Sequence, residues 1–166
     1  MAASHLHLPV VASDSGIASG LPDGTITDSF LPSPGAPAKS AAASWIALFR
    51  RIRARFLRSE PMSADLIDGM SQAYEMASAL FRAGPQLTRQ GLLTALNGML
   101  PGPSAAPLAF SATDHGGAEG AYVGTIKAGA IVPSGGVLIG AVTSASELTA
   151  YTSAQQAAPA NGIPAH

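Results

Sequence analysis

The chain has 166 residues, enough for one domain of ordinary size, and 47% of them are hydrophobic. However, 33 of the 166 residues are alanine, which buries little area, so the hydrophobic fraction overstates the size of the core. The net charge of −1, with only 11% charged residues, gives no overall field that favours nucleic acid or an anionic membrane, and the absence of cysteine excludes disulfides and thiolate metal sites.

The start of the chain lacks the features of an export signal. Residues 1–16 contain neither a basic segment nor an apolar core of the required length of about 7–15 residues. The sequence also contains no run of about 18 apolar residues that would span a membrane. Taken as it stands, the sequence predicts a cytoplasmic chain.

Two short strands separated by a loop are predicted in the first part of the chain. Residues 1–7 are expected to be disordered. The valines of Leu8–Ala12 predict a weak strand, and imperfect alternation predicts another over Thr25–Leu31. The glycines and proline of Asp14–Gly24 predict a loop between them, and the prolines of Pro32–Lys39 predict a linker.

A basic amphipathic helix is predicted over Trp45–Leu57. Its apolar residues share one face, as in a helix that packs on a core: Trp45, Leu48, Phe49, Ile52 and Phe56. It also carries five of the nine basic residues of the chain: Arg50, Arg51, Arg53, Arg55 and Arg58. These arginines have two interpretations, a solvated surface or a docking face for a membrane or nucleic acid. The apolar stripe favours the first.

The longest predicted helix covers Ser63–Ala83, with Ser63 as N-cap and Gly84-Pro85 as its stop. Asp65 and Asp68 lie near the positive end of its dipole. Its apolar residues recur at helical spacing and predict one buried stripe: Leu66, Ile67, Met70, Ala73, Tyr74, Ala77, Leu80 and Phe81.

A third helix is predicted over Thr88–Gly98, with Thr88 as N-cap and with Leu92, Leu93 and Leu96 facing inward. After it the apolar period changes to that of strands. From Thr152 onward alanine and proline dominate, which predicts a disordered tail. Strands are predicted at Leu108–Phe110, Ala121–Lys127, Ile131–Val132 and Val137–Val142. Lys127–Ala130 is predicted to form the tight turn between the second and third of these strands.

The histidines of the chain do not predict a site. Asp114 and His115 form the only adjacent acid–histidine pair, and their glycine-flanked position favours a turn over a catalytic dyad. His5 and His7 have the spacing of metal ligands on a strand, but no third ligand lies nearby in the sequence.

Carboxylates and glycines likewise give no signal for catalysis. Asp65, Asp68 and Glu75 lie on the long helix. However, the sequence does not place any two of them in clearly different environments, as the acid and the base of a catalytic pair would require. The glycines of Gly116–Gly124 lack the lysine and hydroxyl residues of a phosphate loop. The sequence therefore predicts a protein that is not an enzyme and that uses no cofactor and no metal.

One ordered set of segments carries a resemblance. A helix ending in AG precedes LTRQGLLTAL, and a later LAFSATDHGG turn precedes a strand that ends in a Lys-Ala-Gly turn. In this order they resemble the C-terminal part of the branched-chain amino acid substrate-binding proteins of ABC transporters, which are leucine-binding-protein-like type I periplasmic binding proteins. The segments are Gly20–Pro32, Trp45–Phe56, Ala83–Asn97, Pro107–Gly117 and Tyr122–Val132.

The resemblance implies part of an α/β Venus-flytrap fold, in which two lobes are joined by a hinge. Residues 8–133 would supply a C-terminal part of that fold, residues 134–151 a possible further strand, and residues 152–166 the disordered tail. Family members are more than twice this length and carry an export signal, so we expect a fragment. None of the family's ligand contacts is carried over, and Asp14–Gly20 is the nearest candidate edge of a site.

The function implied is solute binding, at the periplasmic or cell-surface side, for an ABC importer. The expected partners are its permease and a small ligand such as a branched-chain amino acid or an amide, with no nucleic acid. The apolar stripes exceed the predicted sheet, which implies exposed patches or a missing partner. The alternative hypothesis is a small non-catalytic intracellular interaction protein that docks through the Arg-rich helix, residues 45–58.

Overall fold

A computed structural model describes residues 10–13, 20–34, 36, 38–113, 115–117, 120–140 and 148–164. Within them the helices are α1 (Ala41–Phe56), α2 (Ala64–Ala83) and α3 (Arg89–Leu96). The mixture of helices and sheet confirms the predicted α/β class. The strands are β1 (Val11–Ser13), β2 (Ile26–Ser29), β3 (Gly98–Leu100), β4 (Leu108–Phe110), β5 (Gly120–Lys127), β6 (Ala130–Gly140) and β7 (Leu148–Ala150).

The main sheet has five strands in the order β1-β2-β5-β6-β7, and β3 pairs separately with β4. β1 and β2 are parallel, whereas the β2–β5, β5–β6 and β6–β7 pairs are antiparallel. All three described helices occur between β2 and β5 in the chain. Repeating βα units would produce a parallel sheet instead. The sheet therefore supports the α/β class without identifying the two-lobed fold.

A tight turn sets the register of the β5–β6 hairpin. Ala128 and Gly129 both have positive φ angles, 50° and 73°, as in the turns whose twist matches that of paired strands. Lys127 pairs with Ala130 across this turn, as predicted. β6 then continues over Ala130–Gly140 as one strand, whereas two separate strands were predicted there. A shift in the β5–β6 register between Tyr122 and Gly124 lets the two strands stay paired along this length.

The predicted helix caps are present. Ser63 and Thr88 each accept a hydrogen bond from the backbone N–H three residues further on, at 3.2 and 2.9 Å. Gly84 ends α2 with a φ of 79°, a conformation that favours glycine. α1 begins earlier than predicted, at Ala41, because Ser40 provides an N-cap there.

The buried face of α2 differs from the predicted stripe. Ala73, Leu80 and Phe81 were expected inside but are exposed, because α2 packs against α1, α3 and β3. Ser71 and Ser78 are buried in their place, and their hydroxyls donate to the carbonyl four residues earlier at 2.7 and 2.9 Å. The buried residues are Ile67, Met70, Ser71, Tyr74, Ser78 and Ala79.

Two other apolar side chains are more exposed than predicted. Phe56 is 69% exposed because it lies one helical turn beyond Ile52, where the packed part of α1 ends. Leu93 is 47% exposed, since only its neighbours Leu92 and Leu96 reach the core. The predicted end of the third helix is also different, because Gly98–Leu100 forms β3.

The C-terminal segment lies along α1 where a disordered tail was predicted. The indole N–H of Trp45 donates to the carbonyl oxygen of Gln156 at 2.8 Å. The backbone N–H of Ala158 donates to the hydroxyl of Ser44, also at 2.8 Å. The composition did not indicate this, because alanine and proline carry no apolar period and the attachment uses backbone hydrogen bonds. The predicted disordered N-terminus, residues 1–7, lies outside the described residues.

The core consists of three clusters of buried side chains. One lies between α1 and α2 around Trp45 and Phe49, one lies on the main sheet around Tyr122 and Ile126, and one joins α2 to the β3–β4 pair at Leu100. Among the described residues, no helix combines the length and the apolarity needed to cross a membrane.

Candidate functional site

A cavity of about 150 Å³ lies where the segment after β2 meets the start of α2 and the β5–β6 hairpin. We refer to it as the α2 cavity. Its apolar wall consists mainly of Leu31, Pro32, Pro34, Met62, Ile67 and Ile131. Its hydroxyl groups are those of Ser29, Ser33, Ser63 and Tyr122.

Hydrogen bonds fix the wall of the α2 cavity. The hydroxyl of Tyr122 donates to the carbonyl oxygen of Leu31 at 2.7 Å. The hydroxyl of Ser33 donates to the carbonyl oxygen of Ile131 at 2.6 Å, and that of Ser29 accepts from the N–H of Leu31 at 3.2 Å. These bonds tie the segment after β2 to the hairpin, so the cavity is formed before any ligand arrives.

The start of α2 forms one end of the cavity, because Ser63 and Ala64 belong to its lining. Helix N-termini carry partial positive charge and bind anionic groups. Asp65 in the first turn already uses part of that potential. The cavity therefore combines a small apolar volume with an end that favours a carboxylate.

The second feature is the C-terminal end of α1, which we call the basic tip. It comprises Arg50, Arg51, Arg53, Arg55, Phe56, Leu57 and Arg58. All of these except the half-buried Arg53 are exposed. The guanidinium carbon of Arg55 lies 5.2 Å from the centroid of the Phe56 ring, within the range of a cation–π contact.

Three arginines of the basic tip donate to backbone carbonyls. Arg58 bonds the carbonyl of Ala54 at 3.0 Å, Arg53 bonds that of Glu60, and Arg51 bonds that of Ala160 at 3.4 Å. Cations at the C-terminus of a helix also interact favourably with the partial negative charge at that end. These contacts give Arg51, Arg53 and Arg58 a structural role.

A half-buried carboxylate helps to join three parts of the chain. Ser104, in the buried loop before β4, donates to Glu75 Oε1 at 2.7 Å, and the side-chain amide of Gln155 donates to the carbonyls of Pro103 and Ser104. Burial raises the pKa of Glu75, with a smaller rise from the charge of Asp68, while the hydrogen bond from Ser104 lowers it. This arrangement links α2 to the C-terminal segment.

The residues weighed for chemistry from the sequence remain apart from the α2 cavity. His115 is exposed and lines a separate depression beside Leu93 and Phe110. Asp114, His5 and His7 lie outside the described residues, as does most of the Asp14–Gly20 loop. Within the described part of the chain, no three residues of the kinds that bind metals are grouped so as to hold an ion.

Comparisons with protein-family models, with curated proteins and with solved structures find no match for this chain.

Sequence reasoning missed the α2 cavity, and it named Glu75 without predicting its partial burial. The cavity is formed by residues distant in sequence, such as Ser29, Met62 and Tyr122, and no periodicity relates them. Tyr122 offered one signal, because a buried tyrosine on an alternating strand needs a hydrogen-bond partner and fixes whatever segment supplies it. Glu75 offered another, because it falls next to the predicted buried face of α2.

Proposed function

We propose that this chain is a solute-binding component of an ABC importer, or a part of one, and that its ligand is a branched-chain amino acid or a similar small metabolite. The observation that carries the proposal is the α2 cavity, which offers a preformed place for an aliphatic side chain. The resemblance of the sequence supplies the class of protein.

The size and lining of the cavity support a small aliphatic ligand. An apolar cavity of about 150 Å³ holds a group of about six carbon atoms. The branched side chains of leucine, isoleucine and valine fit within that limit. The side chain of an aromatic amino acid, with about seven carbon atoms or more, exceeds it.

The polar groups support an amino acid rather than a hydrocarbon. The start of α2 at Ser63 and Ala64 favours a carboxylate. The hydroxyl oxygen of Ser29 can accept from an ammonium group, because a hydroxyl oxygen has two lone pairs, one of which accepts the N–H of Leu31. Both ends of the ligand would therefore find partners around one apolar volume.

An exposed apolar surface on α2 and α3 supports a chain that belongs to a larger assembly. Exposed patches of this kind mark surfaces that another part of a protein or a partner covers. A second lobe or the permease would fill that role. The exposed side chains are Met76, Leu80, Phe81, Leu87 and Leu93, between 38% and 59% exposed.

Thermal unfolding of the 166-residue chain with added L-leucine tests the proposal. A ligand at about 100 times its Kd stabilises the folded state by about 2.7 kcal/mol, which raises Tm by several degrees for a chain of this size. Ala64→Leu, at the first residue of α2, fills the cavity and should abolish the rise. Ala47→Leu, on the exposed face of α1, is the matched control and should keep it.

Two results would overturn the proposal. One is a Tm that leucine, isoleucine and valine all leave unchanged up to their solubility limits. The other is an equal rise in the chain carrying Ala64→Leu, which would place the ligand elsewhere.

A further inference from the structure

The basic tip concentrates the positive charge of the chain. It holds five of the nine basic residues, so the remainder carries four basic against ten acidic residues. The chain outside the tip is therefore net negative, whereas the tip itself is positive. An anionic surface would attract the tip and repel the remainder of the chain, which orients the molecule before contact.

The basic tip also exposes apolar side chains beside its charges. Phe56 is 69% and Leu57 37% exposed. Phe56 continues the apolar stripe of α1, but the packed core ends one turn earlier at Ile52. An exposed aromatic ring next to arginines is the combination that enters the headgroup region of a membrane.

Hydrogen bonds to backbone carbonyls account for only part of this surface. Arg51, Arg53 and Arg58 bond backbone carbonyls, whereas Arg50 is exposed and Arg55 packs on the ring of Phe56. An acidic peptide would use the two arginines but would need a matched pocket to cover Phe56 and Leu57. A lipid surface accepts both the charges and the apolar groups without such a pocket.

We propose that the basic tip docks this chain on an anionic lipid surface, with Arg50 and Arg55 at the headgroups and Phe56 and Leu57 inserted between them. The proposal is independent of the α2 cavity, since none of the residues of the tip lines it.

Co-sedimentation of the full chain with vesicles tests this docking. The chain should bind vesicles of phosphatidylcholine mixed with phosphatidylglycerol, and not vesicles of phosphatidylcholine alone, with an affinity that falls as salt is added. Each arginine near an anionic surface contributes roughly fivefold to binding. Arg50→Glu combined with Arg55→Glu should therefore weaken binding by at least about tenfold, and Phe56→Ser should weaken it severalfold at constant charge.

Two control variants separate docking from total charge and from loss of fold. Arg89→Glu combined with Lys127→Glu makes the same change in net charge at exposed positions elsewhere and should retain most of the binding. Arg50→Lys combined with Arg55→Lys keeps the charge of the tip and should also bind. Both results support the tip as the docking surface.

Equal binding to neutral vesicles, or an equal loss in the Arg89 and Lys127 variant, would overturn the proposal. The proposal would also be overturned if the chain did not bind anionic vesicles but bound polyglutamate through Arg50 and Arg55. That result would indicate an acidic protein partner instead.

Discussion

The middle and the last turn of α2 contrast in what covers them. Near the middle Tyr74 meets Trp45 edge-on, with ring centroids 4.7 Å apart, and Phe49 is fully buried beside them. In the last turn Leu80 and Phe81 remain exposed, although Phe81 follows Tyr74 by seven residues and therefore lies on the same face of the helix. Both parts are apolar in sequence, so apolar character did not decide which became core. The position of α1 decided it.

A segment whose composition does not predict burial completes the covered part of the helix pair. Residues 151–164 are mostly small or polar, yet they close over α1 through hydrogen bonds to Trp45 and Ser44. Meanwhile Ser71 and Ser78 are buried because the helix backbone satisfies their hydroxyls. Which residues are buried in this protein therefore depends on the available hydrogen-bond partners and on the neighbouring elements as much as on hydropathy.

Replacing one covered and one exposed phenylalanine gives the sharpest test of this contrast. Phe49→Ala removes a fully buried ring and should cost about 3–5 kcal/mol of unfolding free energy. Phe81→Ala, at a side chain 42% exposed, should cost about 1 kcal/mol or less. Chemical denaturation of both variants measures the difference. Similar losses would mean that a partner or a second copy covers Phe81 in solution.

The packing of residues 151–164 against α1 can be weakened by a substitution at one glycine. Gly162 has a φ of 73°, and a Cβ there would lie 2.8 Å from Leu48 Cδ1. Gly162→Ala should therefore cost about 1–2 kcal/mol and shift the fluorescence of Trp45, the single tryptophan of the chain, towards longer wavelength.

Gly135→Ala is the control for that substitution, because a Cβ at Gly135 meets no atom within 4 Å. Its unfolding free energy should change by about 0.5 kcal/mol or less. If both variants kept the emission and stability of the parent chain, residues 151–164 would not be docked on α1 in solution.

The smallest expected effect concerns pH. Because burial raises the pKa of Glu75, the folded chain binds this proton more tightly than the unfolded chain does. Stability should then fall as the pH rises through and above the usual range of a glutamate. Glu75→Gln keeps an acceptor for Ser104 and should flatten that part of the pH profile while raising Tm at neutral pH.

Exposed Glu60 provides the comparison, since Glu60→Gln removes one negative charge without touching the buried loop. Thermal unfolding across the acidic to neutral range would record both profiles. Parallel profiles for the two variants would show that Glu75 is solvated in the folded chain.

Local signals predicted a good part of this fold. Ser63, Gly84 and Thr88 mark helix ends because capping depends on a few adjacent residues. The turn at Ala128 and Gly129 likewise sets the register of its hairpin. Such features need no knowledge of what lies elsewhere in the chain, and the structure has them where the sequence indicates.

Tertiary contacts decided the remainder. Which face of α2 is buried depends on where α1 and α3 lie, and the α2 cavity depends on Ser29, Met62 and Tyr122 meeting from three separate segments. The order of residues 151–164 depends on carbonyl and hydroxyl partners contributed by α1. Periodicity describes one element at a time, whereas burial and cavities are properties of the pairs of elements that meet. The residues that line the α2 cavity were therefore visible only in the folded chain.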